Sequence, residues 1–147
     1  MSDSVLEEMR KFLARCRTAG LATVDAAGAP HAANVWYAED DNLHLYFVSS
    51  RETNHSHHIL KQSEVALTVY QEAEDPLHIH GLQIHGTCEP IDLNDGLPTA
   101  DWQYAWNLYS TKYPFVANNA MFRQAVEAQS FWRIRPTWIR WMDNRKG

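Results

Sequence analysis

The stretch from residue 21 to residue 70 constrains the fold most, because it holds four short runs rich in β-branched and aromatic residues. The runs cover 21–25, 31–37, 44–48 and 65–70. A turn containing Gly28 and Pro30 separates the first two runs, which predicts a β-hairpin. Between the third and fourth runs, Thr53 is a good N-cap for a helix reaching about Gln62. This order predicts a mainly β fold with a short internal helix.

An amphipathic helix is predicted before the first strand. Ser4 and Glu7 have the spacing of a capping box, and apolar residues then recur at helical spacing as far as about Arg17. Gly20 follows as a C-cap signal. We expect this helix to pack across one end of the β structure.

The second half of the chain predicts further strands and a helical insert. A fifth strand is expected over 77–86, with His78 and His80 on one face. Two helices are expected over 100–110 and 120–128, the first capped by Thr99. The tail alternates over 131–135, bends at Pro136 and continues over 138–142 as the last strand.

Composition limits the classes of function. The 147 residues suit a single domain, 1–147, and their 18 acidic against 13 basic residues give a net charge of −5. This balance argues against a nucleic-acid partner. Without an apolar leader or a long apolar run, the sequence predicts a cytoplasmic protein with no membrane association. Cys16 and Cys88 are expected to be reduced structural thiols.

The chain resembles the pyridoxamine 5'-phosphate oxidase-like, FMN-binding split-barrel family, and more narrowly a bacterial branch of it. The resemblance rests on several motifs in order: LATVD-x-x-G-x-PH from Leu21, LHLYFVSS ending at Ser50, EVALTVY from Glu64 and GLQIHG from Gly81. The branch is further indicated by ANVWY at 33–37, TNH at 53–55, YP at 113–114 and WRIR at 132–135, followed by Ile139 and DN at 143–144.

The resemblance implies the fold, the assembly and the cofactor. It predicts an antiparallel split β-barrel of six or seven strands, with an N-terminal helix and a helical insert before the last strands. It also predicts a homodimer that binds FMN between its subunits, together with a small-molecule substrate. Contacts to the flavin ring and ribityl chain are implied for second-strand residues Asn34, Val35 and Trp36, and for fifth-strand residues Gly81 and Gln83.

The same resemblance locates the FMN phosphate at the start of the internal helix. Hydroxyls from Ser49, Ser50 and Thr53 and the helix N-terminus suit an anion. Asn54 and His55 stand where the family usually has Arg and Lys, and Ala33 replaces a second-strand Arg. Arg51 could replace one lost cation, and His55 could serve if the field of the phosphate favours its protonated form.

The basic tail suggests a second source of positive charge. From residue 133 onward it contains these cations: Arg133, Arg135, Arg140, Arg145 and Lys146. One interpretation is a solvated edge strand protected by charge. Our hypothesis is that the tail supplies cations across the dimer interface, and we assign Arg140 and Trp141 as cofactor contacts.

Taken together, the sequence predicts a small FMN-dependent oxidoreductase of unknown substrate, in which the cofactor carries the redox step. No catalytic residue is assigned, because no Ser-His-Asp spacing or phosphate-binding glycine loop is present. Arg133–Pro136 echoes only loosely the R-L-x-P signature of true pyridoxamine phosphate oxidases. No metal site is predicted for the local cluster of His55, His57 and His58. Two alternatives stay open: a haem-binding split barrel with an axial ligand among His55, His78 and His80, and a cofactor-free binding protein on the same fold.

Overall fold

The structure is a computed structural model that describes residues 2–146. Its strands are β1 (Thr18–Val24), β2 (Pro30–Glu39), β3 (Leu45–Ser49), β4 (Glu64–Tyr70), β5 (His80–Ile91) and β6 (Ser130–Asp143). Its α-helices are α1 (Asp3–Arg15), α2 (Asn54–Lys61), α3 (Ala100–Lys112), α4 (Pro114–Asn118) and α5 (Ala120–Glu127). Short 3-10 turns cover Pro76–His78 and Asn144–Lys146. The strands form a closed barrel in the order β1-β2-β3-β6-β5-β4, with antiparallel neighbours. The predicted fold class is therefore confirmed.

Alternation along the strands builds the barrel interior. Leu21, Leu67 and Ile84 are register partners on β1, β4 and β5, and all three are buried. Phe12 and Leu13 of α1 are fully buried in the same core. Burying a large apolar side chain contributes about 1.5–3 kcal/mol. The N-terminal helix thus closes one end of the barrel, as its apolar face predicts.

The helical insert builds a second core outside the barrel. Tyr46 of β3 and Phe131 of β6 pack against Tyr109 and Tyr113, which belong to α3 and its C-terminal end. This packing covers the side of the barrel formed by β3 and the first half of β6. Side chains on the outer face of β4, such as Thr68 and Tyr70, are left exposed.

The predicted ends of the first helix are wrong. Ser2, not Ser4, is the N-cap, and its hydroxyl accepts a hydrogen bond from the amide of Val5. The helix ends at Arg15 with an extended Cys16, and Gly20 lies within β1 opposite Asn34. The chain must become extended this early because Thr18 already pairs with Trp36.

The fifth strand begins later and ends later than predicted. Asp75 caps a 3-10 turn by accepting from the amide of Leu77, and its carboxylate also bonds to His78. His78 therefore lies outside β5 and does not share a strand face with His80. At its other end β5 continues to Ile91, because residues up to that point pair with β6.

Other boundaries follow the prediction closely. Thr53 caps α2 and Thr99 caps α3, each through its side-chain oxygen. The predicted bend at Pro136 is a bulge within one continuous β6, opposite the step from His85 to Gly86. A Cβ on Gly86 would lie 2.3 Å from the carbonyl oxygen of Arg135, so only glycine allows this close approach.

Two further observations bear on the sequence-based expectations. Cys16 and Cys88 are both free thiols. Among residues 2–146, no helix combines the length and the apolar character that crossing a bilayer requires.

Candidate functional site

The barrel is split between β2 and β3. These strands pair only from Tyr37 to Glu39, opposite Leu45 to Phe47. The earlier part of β2, from Pro30 to Trp36, pairs with β1 on one side and has no strand partner among residues 2–146 on its other side. Asn34, Val35 and Trp36 therefore lie on a free strand edge, whose alternate N–H and C=O groups are available to a ligand.

A cluster of hydroxyl groups lies where β3 leads into α2. Oγ1 of Thr53 accepts from the amide of Ser56 at 3.2 Å and lies 3.4 Å from Oγ of Ser49. Ser49 is 6% exposed, and its carbonyl oxygen accepts from the indole of Trp132. The hydroxyl of Ser50 accepts from the amide of Glu52. Hydroxyls at a helix N-terminus are suitable donors for an anion.

His55 belongs to this cluster. Its Nε2 lies 2.8 Å from Oγ of Ser49, and its ring lies edge-on to Phe47. Burial lowers the pKa of His55, and the nearby His58 lowers it further. Without a ligand the imidazole is therefore neutral at neutral pH. Asn54, beside it at the first position of α2, is exposed.

The neighbouring cation Arg51 is engaged elsewhere. Its Nη2 lies 2.5 Å from Oδ1 of Asp92, and its Nε donates to Oγ of Ser130 at 3.0 Å. Ser130 is the register partner of Ser49, so Arg51 lies close to the hydroxyl cluster while its charge is paired.

A pair of histidines connects α2 with β2: His58 belongs to α2, and His31, which the sequence-based reasoning did not consider as a site residue, lies on β2. The rings of His31 and His58 are 4.6 Å apart between centroids. Nδ1 of His58 lies 2.9 Å from Oγ1 of Thr23, and Nε2 of His31 lies 2.9 Å from Oδ2 of Asp25. The hydrogen bond from His31 lowers the pKa of Asp25. The one sequence signal for His31 was its position two residues before Ala33, because side chains at that spacing lie on the same side of a strand.

Three of the predicted cofactor contacts lie on one row across the outer face of the barrel. Asn34 of β2 is opposite Gly20 of β1, Gly20 is opposite Thr68 of β4, Thr68 is opposite Gln83 of β5, and Gln83 is opposite Arg140 of β6. A groove of about 290 Å³ lies over the middle of this row, where Gly20, Thr68 and Gln83 line it together with small residues such as Ala22 and Ala66. The row spans five strands, so Asn34 and Arg140 lie at opposite ends of it.

The remaining two predicted contacts are placed differently. Trp141 points into the barrel, where its ring packs against Phe12, and its indole Nε1 is buried without a hydrogen-bond partner among the described residues. A Cβ on Gly81 would lie 2.6 Å from the carbonyl oxygen of Val69. Close approach of β4 therefore explains this glycine, and the space is filled by backbone.

Most cations of the tail are paired within the chain. Arg133 and Arg135 both bond to Glu89, Arg145 bonds to Asp143, and Lys146 bonds to Glu8. Within residues 2–146, Arg140 is the tail cation that has no carboxylate within ion-pair distance.

The histidines considered for haem do not converge. His80 is 7% exposed; Nη2 of Arg15 donates to its Nε2, so its Nδ1 donates to the carbonyl oxygen of His78. His78 is paired with Asp75, and His55 lies in the α2 cluster. In the part of the chain that is described, no three His, Cys, Asp or Glu side chains are placed to hold a metal ion.

Comparison with known proteins identifies the family. The pyridoxamine 5'-phosphate oxidase family matches residues 5–143. The chain belongs to this family. None of the curated proteins matches the chain.

Three solved structures illustrate the breadth of this fold. A conserved hypothetical protein from Mycobacterium tuberculosis has a TM-score of 0.79 at 19% identity, over 99% of this chain and 87% of its own. HutZ, the haem storage protein from Vibrio cholerae, has a TM-score of 0.75 at 13% identity, over 93% of this chain and 92% of its own. An FAD-binding protein from Mesorhizobium loti has a TM-score of 0.67 at 21% identity, over 95% of this chain and 92% of its own. These likenesses support the split-barrel fold.

Proposed function

We propose that this protein binds FMN at the split between β2 and β3 and acts as a small flavin-dependent oxidoreductase. The observation that carries the proposal is that α2, which begins at the hydroxyl cluster, packs against the strand with the free edge: the rings of His58 on α2 and His31 on β2 are 4.6 Å apart. The donors fit the ligand: neutral hydroxyls and helix amides suit a phosphate, and an open strand edge suits the polar edge of a flat ring.

The residues have distinct roles in this proposal. Ser49, Ser50 and Thr53 hold the phosphate together with the first amides of α2, including that of His55. Asn34, Val35 and Trp36 line the ring and ribityl chain. Trp36 stacks against Tyr113 with ring centroids 5.3 Å apart, so the helical insert fixes the far wall of the cleft. When bound, the flavin supplies the redox chemistry, and the protein orients it and limits access of water.

We further propose that the active form is a homodimer. The outer face of β4 leaves Tyr70 54% exposed, and the same face leaves Trp138 of β6 44% exposed. Large exposed aromatic groups on one face are typical of an interface. Gln83 and Arg140 lie across this face from Asn34, so they would reach the flavin of a partner more readily than their own. Of the tail cations, we therefore propose that Arg140 contacts the FMN bound by the partner subunit.

Absorption spectroscopy tests the proposal. The protein is measured as purified and again after incubation with FMN and desalting. We expect paired near-ultraviolet and blue flavin bands that stay with the protein. A sharp Soret band would favour haem instead, and a protein that remains colourless in both samples would favour a cofactor-free binding protein.

A further inference from the structure

Among the cleft residues named above that belong to the same subunit, none carries a permanent positive charge that is free to meet a phosphate. Ala33 and Asn54 are uncharged, and Arg51 is paired with Asp92. The nearest group that can acquire a positive charge is the imidazole of His55, in contact with the hydroxyl of Ser49. A phosphate held by that hydroxyl would come within a few ångströms of the ring.

We propose that His55 is the cation that the subunit holding the phosphate itself supplies, and that it takes up a proton when FMN binds. FMN therefore binds more tightly as the pH falls. This inference rests on the proposed function, and it assigns to a single imidazole the role that permanent cations have elsewhere in the family.

The position of His55 gives it two states. Without a ligand, its half-buried ring packs on Phe47 and is kept neutral by desolvation, with His58 opposing a second charge nearby. A dianionic phosphate reverses this preference, because an opposite charge within about 4–6 Å favours the protonated form. An imidazolium also donates from both ring nitrogens, so the contact with Ser49 can persist in the charged state.

The charged groups around α2 are arranged mostly in pairs, so they leave His55 without a strong competing field. At the helix surface His57 pairs with Glu52, and on the β2 side His31 pairs with Asp25. Arg51, just after β3, pairs with Asp92, just after β5. His58 contacts the hydroxyl of Thr23 on β1. From β5, Cys88 bonds through its amide to Ser63 just after α2, and burial raises the pKa of its thiol, which stays neutral.

The size of the effect follows from linkage. Uptake of one proton changes a binding constant by at most about tenfold per pH unit, between the pKa values of the free and bound states. The second ionisation of a phosphate ester lies near about pH 6, so the useful range is above this value, where FMN remains a dianion.

The experiment is a titration of the full-length protein with FMN and, separately, with riboflavin. Binding is monitored by fluorescence quenching at several pH values from about 6.5 to about 8.5. Riboflavin lacks the phosphate and reports on the ring site alone. His55→Gln removes the titrating group and His55→Lys makes the charge permanent. His57→Gln is the matched control, because His57 lies two residues further along α2 and is exposed. Calorimetry of the unmodified protein in two buffers of different ionisation enthalpy counts the protons taken up.

We expect the FMN affinity of the unmodified protein and of His57→Gln to rise about five- to tenfold per unit of acidification. Riboflavin affinity should stay constant, and both His55 variants should lose the slope. FMN binding with no proton uptake, or with the same slope in His55→Gln, would overturn the inference and leave the proposed function intact. Failure of FMN to bind at any pH would overturn both.

Discussion

Nη2 of Arg51 lies 2.5 Å from Oδ1 of Asp92, so the charge of this arginine is already paired beside the hydroxyl cluster at the start of α2. Both side chains are exposed to solvent, Asp92 more than Arg51. An exposed ion pair of this kind contributes only about 0–1 kcal/mol. The pairing is therefore weak enough for a ligand or a substitution to change it.

Replacing Asp92 by Asn should strengthen FMN binding. Without the carboxylate, Arg51 is free to reach the hydroxyl cluster, where a charge-assisted hydrogen bond to phosphate outweighs the exposed pair. We expect the dissociation constant for FMN to fall about three- to tenfold, with riboflavin unchanged. The control is Asp95→Asn, in the same loop at a residue with a positive φ of 50°, which asparagine tolerates. An equal effect of both variants would indicate a general charge effect.

Replacing Ser49 by Ala should weaken FMN binding selectively. The variant removes a buried hydroxyl that contacts both Thr53 and His55. A hydrogen bond to a charged group contributes about 1.5–3 kcal/mol, so the affinity for FMN should fall about tenfold or more. Ser63→Ala, at an exposed position just after α2, is the matched control. If riboflavin affinity fell by the same factor, the hydroxyl would not belong to a phosphate site.

Replacing Gly81 by Ala should destabilise the fold even without a ligand. The new methyl group would lie 2.6 Å from the carbonyl oxygen of Val69, which is backbone and cannot move aside. We expect a loss of about 2 kcal/mol in the free energy of unfolding, measured with urea. Gly20→Ala is the comparison, because its nearest neighbour is the hydroxyl of Thr68 at 3.2 Å, which can rotate. Its loss should stay below about 0.5 kcal/mol. Equal stability of the two variants would contradict the explanation of Gly81 by the close approach of β4.

The fold was predictable because local signals and packing agree. The alternation of β1 and β4 places Leu21 and Leu67 inward, and the caps Thr53 and Thr99 mark the starts of their helices without tertiary information. The misplaced boundaries have a common origin in pairing between distant strands. Gly20 is a strand residue because β1 must reach Trp36, and this requirement is invisible in the residues around Gly20.

The site was less predictable, because each side chain's partner lies far along the chain. The residues near Arg51 do not predict its partner Asp92, which is 41 residues away. The residues near Glu89 likewise do not predict that it pairs with both Arg133 and Arg135. The sequence indicated a shortage of cations at α2 and a surplus in the tail. The structure shows that most tail cations form ion pairs within the chain, and that Arg140 has no such partner among residues 2–146.

The assembly prediction is tested by combining two defective subunits. If the site takes Ser49 from one subunit and Arg140 from its partner, both Ser49→Ala and Arg140→Gln homodimers should bind FMN weakly. A heterodimer of the two variants, purified through two different tags, should regain one site of unmodified affinity per dimer. Its second site would carry both defects and remain weak. Should Ser49 and Arg140 serve the same subunit's site, each site of the heterodimer would keep one defect and no tight site would appear. A monomeric protein that binds FMN with full affinity would also contradict the prediction.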